Sequence, residues 1–135
     1  MTTEFITYEQ ALALKELGFD EPCFGRWIEP TELSISAPAD DEYCQKQHEF
    51  SWTALAAIYP QAFRWFREKH NLCGEVYTVN MGAIDYTFQI RDLYSEDIKH
   101  NNFEAYTGGY TGTFLTYEEA ESACLDELIK TVKNK

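Results

Sequence analysis

The sequence has few basic residues and lacks a long apolar run. Its 135 residues include 11 Lys and Arg against 23 Asp and Glu, which gives a formal net charge of -12. Sequence-independent nucleic-acid binding relies on basic side chains that neutralise phosphates, so this balance disfavours it. The apolar stretches are a handful of residues long, whereas a membrane-spanning helix needs about 20. We therefore expect neither a membrane span nor direct nucleic-acid binding.

Signals for secretion and for zinc are also missing. The N-terminus does not have the basic and then apolar pattern of a signal peptide, which predicts a cytoplasmic location. The cysteines are Cys23, Cys44, Cys73 and Cys124. They form no C-x-x-C pair, which argues against a zinc ribbon, and a cytoplasmic location favours free thiols. Cys44 and His48 have the spacing of two helical metal ligands, but no second pair accompanies them, so we predict no metal and no cofactor.

Three helices are predicted, two of them from capping signals. Thr7 and Gln10 have the spacing of a capping box before a helix over residues 8–17, which Gly18 ends, with Phe19 placed for a contact with the last turn. The same spacing recurs at the start of a C-terminal helix over residues 117–132. The recurrent pair is Thr116 and Glu119, and the apolar side of that helix contains Ala120, Cys124, Leu125, Leu128, Ile129 and Val132.

The central helix is aromatic. Pro60 is its predicted first residue and His70 its last, and Asn71 with Gly74 closes it. Successive steps of about 100° place four apolar side chains on one arc and two arginines on the opposite side. The arc contains Ala62, Phe63, Trp65 and Phe66, and the arginines are Arg64 and Arg67. The arc is expected to face the core.

Two strand pairs are predicted around these helices. Residues 23–28 and 33–36 form a hairpin with its turn at Pro30, and residues 75–79 and 84–93 form a second one. In the strand over 84–93 apolar and polar side chains alternate, which indicates one buried face and an antiparallel sheet. A short helical turn is expected over residues 52–58.

These elements predict a single α+β domain over residues 1–135. It consists of an antiparallel sheet of about four to five strands with about three helices on one face, in the order α-β-β-α-β-β-(β)-α. Residues 37–50 read as an acidic loop. Residues 94–115 read as a long connection that contains several glycines and could include the further short strand.

The acidic loop is the first candidate binding region. Most of the net negative charge lies in the first 50 residues, and such a field attracts a basic partner, including one that otherwise binds nucleic acid. The candidate protein-binding residues are Asp40, Asp41, Glu42 and Tyr43. The simpler interpretation of this charge is that it keeps the protein soluble.

The arginine side of the central helix is the second candidate, for a small anionic ligand. Arg64, Arg67 and His70 lie beside the aromatic arc, and the stretch around Gly108 and Gly109 could offer backbone N–H groups to a phosphate. That stretch lacks the G-K-[ST] ending of a P-loop, and a solvated helix face with a surface loop explains the same residues.

An enzyme has little support. Cys73 precedes Gly74 near His70, but no nucleophile elbow or triad is recognisable, and a cysteine without an identified base is usually structural. We therefore name no catalytic residue. Spatial proximity to a base and an orienting group would change that interpretation.

Three blocks of the sequence form a recognisable pattern, namely YEQALALKELGFD with CFG at residues 8–20 and 23–25, QAFRWFREK at 61–69 and TYEEAESACLDELI at 116–129, together about a third of the chain. This pattern resembles a family of small proteins of gut Bacteroides-type bacteria and their phages or prophages. The family has no established function, so the resemblance implies no activity, cofactor or catalytic residue. It implies an origin in a phage or mobile element, and the glycine-rich stretch from Thr107 to Gly112 is outside the family pattern.

The function expected from these observations is that of a non-catalytic accessory protein that acts through acidic protein–protein contacts. Two alternatives stay open. One is a binder of a small anion, or an enzyme, with a pocket near the arginine helix and the glycine-rich loop. The other is an obligate homo-oligomer. Aromatic residues make up 16% of the chain, and those that are exposed would contact the same residues of a second copy.

Overall fold

The computed structural model describes residues 4–35, 51–80, 84–93 and 113–134. Its elements are α1 (Tyr8–Glu16), β1 (Gly25–Glu29), β2 (Glu32–Ile35), β3 (Ala54–Ala56), α2 (Tyr59–His70), β4 (Leu72–Asn80), β5 (Ile84–Asp92) and α3 (Tyr117–Lys133). All strand pairs are antiparallel, so the predicted α+β class is confirmed. The chain divides into two compact units, Met1–Ala62 and Phe63–Lys135, which are described in turn.

The described strands form two sheets, whereas the sequence predicted one. The first sheet has the order β2-β1-β3, and the second consists of β4 and β5. The total of five strands agrees with the expected number. Alternation of side chains shows that a strand has one buried face, but it contains no information about which other strand pairs with it, so the division into sheets could not be read from the pattern.

In the first unit, α1 has the predicted caps at both ends. The Thr7 hydroxyl accepts a hydrogen bond from the Gln10 N–H at 3.1 Å, and the Gln10 side chain accepts one from the Thr7 N–H at 2.9 Å. At the other end Gly18 has a φ of 98°, and the Phe19 N–H donates to the Leu14 carbonyl at 2.9 Å. This is a Schellman motif, in which the buried side chains of Phe19 and Leu14 follow the expected pattern.

The segment before α2 corrects the sequence prediction. Residues 54–56 form β3, which pairs with β1, and do not form a helical turn. Ile58 continues this edge through a bridge to Phe5. Every residue from 53 to 57 is buried, so the polar alternation that identifies a surface strand is missing, and alanine has a low strand propensity.

In the second unit, α3 packs on both strands of the β4–β5 hairpin. Five of its predicted apolar residues are buried, namely Ala120, Cys124, Leu125, Leu128 and Ile129. Asn71, with a φ of 57°, ends α2 as expected, but Gly74 has a different role from the predicted one. It lies inside β4, which begins at Leu72, and it allows the strand to approach α3 closely.

The described end of the long connection contains a strand-like contact. Phe114 and Tyr86 exchange two backbone hydrogen bonds, of 2.9 and 2.7 Å, and the Phe114 ring stacks on Phe88 at a centroid distance of 6.3 Å. The rest of the connection and the predicted acidic loop lie outside the described residues. Within the four described ranges, no helix is long and apolar enough to cross a membrane.

Candidate functional site

Two sets of predicted site residues lie outside the described part of the chain. They are the protein-binding residues Asp40, Asp41, Glu42 and Tyr43, and the ligand-binding glycines Gly108 and Gly109. Cys44 and His48 lie there as well. The functional geometry is therefore built from the remaining predicted residues and from groups that the sequence did not single out.

The arginines of α2 lie on the exposed side of the helix, as its periodicity predicts. Arg64 and Arg67 are exposed, whereas the aromatic arc of Phe63, Trp65 and Phe66 is buried. Trp65 and Phe66 contact each other edge to face, with ring centroids 5.1 Å apart. Burial of the arc leaves the guanidinium groups directed away from the core.

His70 does not join the arginines. Its ring centroid lies 4.9 Å from that of Trp65 and 5.7 Å from that of Phe66, and the residue is half-buried. The ring therefore packs as part of the aromatic arc. The structure thus keeps Arg64 and Arg67 on one side of the helix and gives His70 a packing position.

The described surface of the first unit is acidic. Its exposed charged residues are Glu4, Glu9, Glu16, Asp20, Glu29 and Glu32. The two described basic residues of this unit are partly buried: the Lys15 amine donates to the Thr53 carbonyl at 2.8 Å, and the Nε atom of Arg26 is buried. Burial lowers the pKa of the Lys15 amine. The exposed charge of the first unit's described residues is consequently negative.

An aromatic patch lies at the start of α1 within this surface. It consists of the rings of Tyr8 and Trp27 and of Trp52, whose backbone carbonyl contacts Tyr8, and we call it the α1 aromatic patch. The rings of Tyr8 and Trp27 meet edge to face at 6.2 Å, and the Tyr8 hydroxyl donates to the Trp52 carbonyl at 3.0 Å. The Trp27 indole donates to the Ile6 carbonyl at 3.0 Å. Trp52 is 53% exposed although its backbone is held in place.

The second unit contains a polar cluster around a thiol. The register of the β4–β5 hairpin places Cys73 opposite Arg91 and Glu75 opposite Gln89. Residues directly opposite each other, and residues two apart along a strand, share one face of a sheet. Together with Arg67, whose charge also acts on the thiol, we call these residues the Cys73 cluster.

Glu75 is the centre of the Cys73 cluster. Its carboxylate accepts a hydrogen bond of 2.7 Å from the Gln89 amide and lies 3.8 Å from the Arg91 guanidinium. The Cys73 thiol donates to the same carboxylate, with 3.8 Å between Sγ and Oε1. The Glu75 and Arg91 side chains are 42% and 49% exposed, so solvent reaches the cluster.

The charges of the cluster act on the thiol in opposite directions. Burial and then the Glu75 carboxylate raise the pKa of Cys73, whereas Arg67 and Arg91 lower it. The net effect is an upward shift, so the thiol is protonated at neutral pH. The two guanidinium groups that act on the thiol come from α2 and β5.

The other described cysteines differ from Cys73. Cys23, Cys73 and Cys124 are all free, but Cys23 and Cys124 are 5% and 0% exposed. The Cys23 thiol donates to the Glu21 carbonyl at 3.2 Å, and burial raises the pKa of Cys124. Cys73 is therefore the described thiol that solvent reaches best.

The sequence pattern contained part of this cluster. Alternation placed Gln89 and Arg91 on the polar face of the predicted strand, and Arg67 was a candidate ligand-binding residue. The predicted strand began at residue 75 and left out Cys73, whereas β4 begins at Leu72 and includes it. The sequence therefore did not show the register that places Arg91 opposite Cys73.

Comparison with known proteins adds no assignment to this geometry. No family model matches the chain, and no curated protein and no solved structure matches it either. The described residues bring together no group of three or more His, Cys, Asp or Glu that could hold a metal ion.

Proposed function

We propose that the protein is a non-catalytic interaction protein that binds a basic protein partner in the bacterial cytoplasm through the α1 aromatic patch and the carboxylates around it. The observation that carries this proposal is the exposure of Trp52 in the first unit, whose exposed described charges are all negative. We further propose a phage or mobile-element origin, which the resemblance of three sequence blocks supports.

The chemistry of the patch suits a protein contact. Trp and Tyr are enriched among residues that dominate binding energy, because they bury a large area and retain a polar edge. The hydrogen bond from Tyr8 to the Trp52 carbonyl fixes the backbone that carries the exposed indole. Such preorganisation reduces the entropy lost on binding.

The charges around the patch favour a basic partner. Glu9 follows Tyr8, and Glu29 lies on β1 two residues after Trp27. Complementary charges accelerate encounter and select against acidic surfaces, including nucleic acid. The acidic residues Asp40, Asp41 and Glu42 remain part of the proposed contact region on the strength of their sequence alone.

The test is affinity capture of the tagged full chain from a bacterial lysate at low and at moderate salt, followed by mass spectrometry. Wild type is compared with Trp52→Ala and with Phe24→Ala, a control that removes an equally exposed aromatic residue at the opposite end of β1. We expect wild type to capture a basic protein, and we expect moderate salt to weaken this binding. Trp52→Ala should fail to capture that protein, whereas Phe24→Ala should still capture it. Equal retention by both variants would contradict a role for the patch.

A charge comparison separates local contacts from the overall field. Glu9→Gln with Glu29→Gln changes carboxylates beside the patch, whereas Glu16→Gln with Asp20→Asn changes the net charge equally at the other end of α1. We expect the first pair to weaken binding more than the second.

If only the protein's own copies are retained at either salt, and light scattering shows an oligomer, the homo-oligomer alternative replaces this proposal.

A further inference from the structure

We propose that two copies of the chain associate through β4, whose outer edge, the edge away from β5, pairs antiparallel with the same edge of a second copy. The two β4–β5 hairpins then form one continuous sheet around a two-fold axis. This edge lies in the second unit and contains none of the residues of the α1 aromatic patch. The inference therefore adds self-association to the proposed function and does not depend on it.

The hydrogen bonds of β5 show which backbone groups of β4 point to the outer edge. Tyr86 and Phe114 exchange both of their backbone hydrogen bonds, so the N–H and C=O groups of Tyr86 point away from β4. Tyr86 lies opposite Thr78, and the backbone groups of Thr78 therefore point away from β5. This direction repeats at every second residue of an antiparallel strand. The other outward residues of β4 are Leu72, Gly74, Val76 and Asn80.

The outer edge of β4 has no backbone partner among the described residues. In the described sheets β4 pairs with β5 alone, and none of the hydrogen bonds of the described turns and loops reaches this edge. The strand is nine residues long, and its register against β5 has no shift. Exposed edge strands are usually kept single by a short length, a bulge, a lysine or a proline, and β4 has none of these features. Its edge is therefore suited to accept another strand.

The sequence of β4 fits a second copy of itself. Val76 is the middle residue of the strand and one of the outward residues, so full-length overlap places Val76 opposite its own copy with all hydrogen bonds in phase. In this register Glu75 lies opposite Tyr77 of the partner. A slide of two residues in one direction would place Glu75 opposite its own copy, and directly opposed like charges are destabilising. A slide in either direction also shortens the overlap, so the full-length register is preferred.

The side chains of β4 leave room for a neighbouring strand. Val76, Tyr77 and Val79 are half-buried, and Thr78 is exposed. Such β-branched and aromatic side chains are stabilised by packing against cross-strand neighbours, which a second copy provides. A two-stranded sheet is marginally stable by itself, and the pairing adds two further strands to it.

A cross-link tests the register directly. Full-length overlap places Cys73 opposite Val79 of the partner, as a pair without mutual hydrogen bonds whose Cα atoms are about 4.5 Å apart, and a disulfide spans that distance. Within one strand, positions 73 and 79 are about 20 Å apart, so they cannot be bridged in the same copy. The purified full chain with Val79→Cys is therefore expected to form a covalent dimer with a mild oxidant at alkaline pH. Peptide mapping by mass spectrometry identifies the bond between position 79 and Cys73.

Two matched variants control for random oxidation. Tyr77→Cys places a cysteine on the same face of the strand but opposite Glu75 of the partner, and it should not cross-link to Cys73. Val79→Cys with Cys73→Ser removes the acceptor thiol and should give no dimer cross-linked through position 79. Both variants also show how much cross-linking comes from the other cysteines of the chain.

Light scattering over a concentration series measures the association without any cross-link. We expect the wild type to form a dimer that dissociates on dilution. Val76→Pro removes an outward N–H, which an edge strand tolerates, and the two-fold axis makes the loss occur twice, so the dimer should weaken about tenfold. Trp52→Ala should leave the dimer unchanged, which separates pairing of β4 from contacts between exposed aromatic residues. Circular dichroism checks that each variant is folded.

Two results would overturn the proposal. One is a wild type that stays monomeric at every concentration, together with Val79→Cys that gives no bond to Cys73. The other is a dimer in which Tyr77→Cys cross-links to Cys73 as readily as Val79→Cys, because the copies would then meet in another way. The cross-link decides the question even if Val76→Pro fails to fold. Both measurements use the purified chain, so their outcome is independent of whether a basic partner is captured.

Discussion

Gly74 on β4 lies so close to Cys124 on α3 that residue 74 has no room for a side chain. A β-carbon at this position would stand 2.8 Å from the Cys124 Sγ, 3.0 Å from the Leu128 Cδ1 and 3.1 Å from the Phe63 Cε1. Strand and helix approach each other here because glycine removes the obstacle. The backbone of Gly74 also connects Cys73 with Glu75, so the close packing on one face positions the Cys73 cluster on the other.

We expect Gly74→Ala to destabilise the second unit by about 1–3 kcal/mol, since an added methyl group in a packed core forces its neighbours apart. Urea unfolding followed by tryptophan fluorescence measures the change in the free energy of unfolding. Gly18→Ala is a useful comparison, because Gly18 has open space around it and a φ of 98°, so its cost comes from the backbone alone.

The double variant Gly74→Ala with Cys124→Ala tests the steric cause. Removal of the Cys124 sulfur relieves the shortest of the three contacts, so the two changes together should cost less than the sum of their separate costs. Strictly additive free energies would show that the added methyl group acts through something other than Cys124.

The N-cap of α1 gives a second stability prediction. Thr7→Ala removes the acceptor of the Gln10 N–H and is expected to cost about 1 kcal/mol. Thr31→Ala, in the exposed turn between β1 and β2, should stay within about 0.5 kcal/mol of wild type. A smaller loss for Thr7 than for Thr31 would mean that the cap contributes little, and the free energies come from the same urea experiment.

The features that the sequence predicted correctly are local. The capping residues Thr7 and Gln10 are three positions apart, and the buried side of α3 follows from its helical period. Both features can be predicted from residues that are close in the sequence. The buried arc of α2 and its exposed arginines were predictable for the same reason.

The features that it did not predict depend on contacts between distant residues. β3 exists because Ala54 pairs with Trp27, and its own residues give no strand signal. The Cys73 cluster depends on the register between β4 and β5, and the α1 aromatic patch on a hydrogen bond between Tyr8 and Trp52. Composition and periodicity do not indicate which distant residues pair with each other.

Cys124 predicts a loss of stability at high pH. Burial raises the pKa of its thiol above that of the unfolded chain, which is about 8.5. Below that pH both states keep the proton; above it the unfolded chain loses the proton first, so the free energy of unfolding falls by up to about 1.4 kcal/mol per pH unit. Between pH 7 and 10 we expect Cys124→Ala to lose about 2 kcal/mol less than wild type. Parallel pH profiles for the two proteins would contradict this.

The Cys73 thiol predicts a pH profile whose midpoint depends on its neighbours. Its alkylation by iodoacetamide follows the thiolate, so the rate rises with pH and its midpoint reports the pKa. Glu75 favours the protonated form, so Glu75→Gln should move the midpoint to lower pH; Arg91 favours the thiolate, so Arg91→Gln should move it higher. Cys124 on α3 stays neutral through this range because it is more deeply buried, and Arg64→Gln serves as the control. A midpoint that Glu75→Gln leaves unchanged or raises would show that the carboxylate does not act on the thiol.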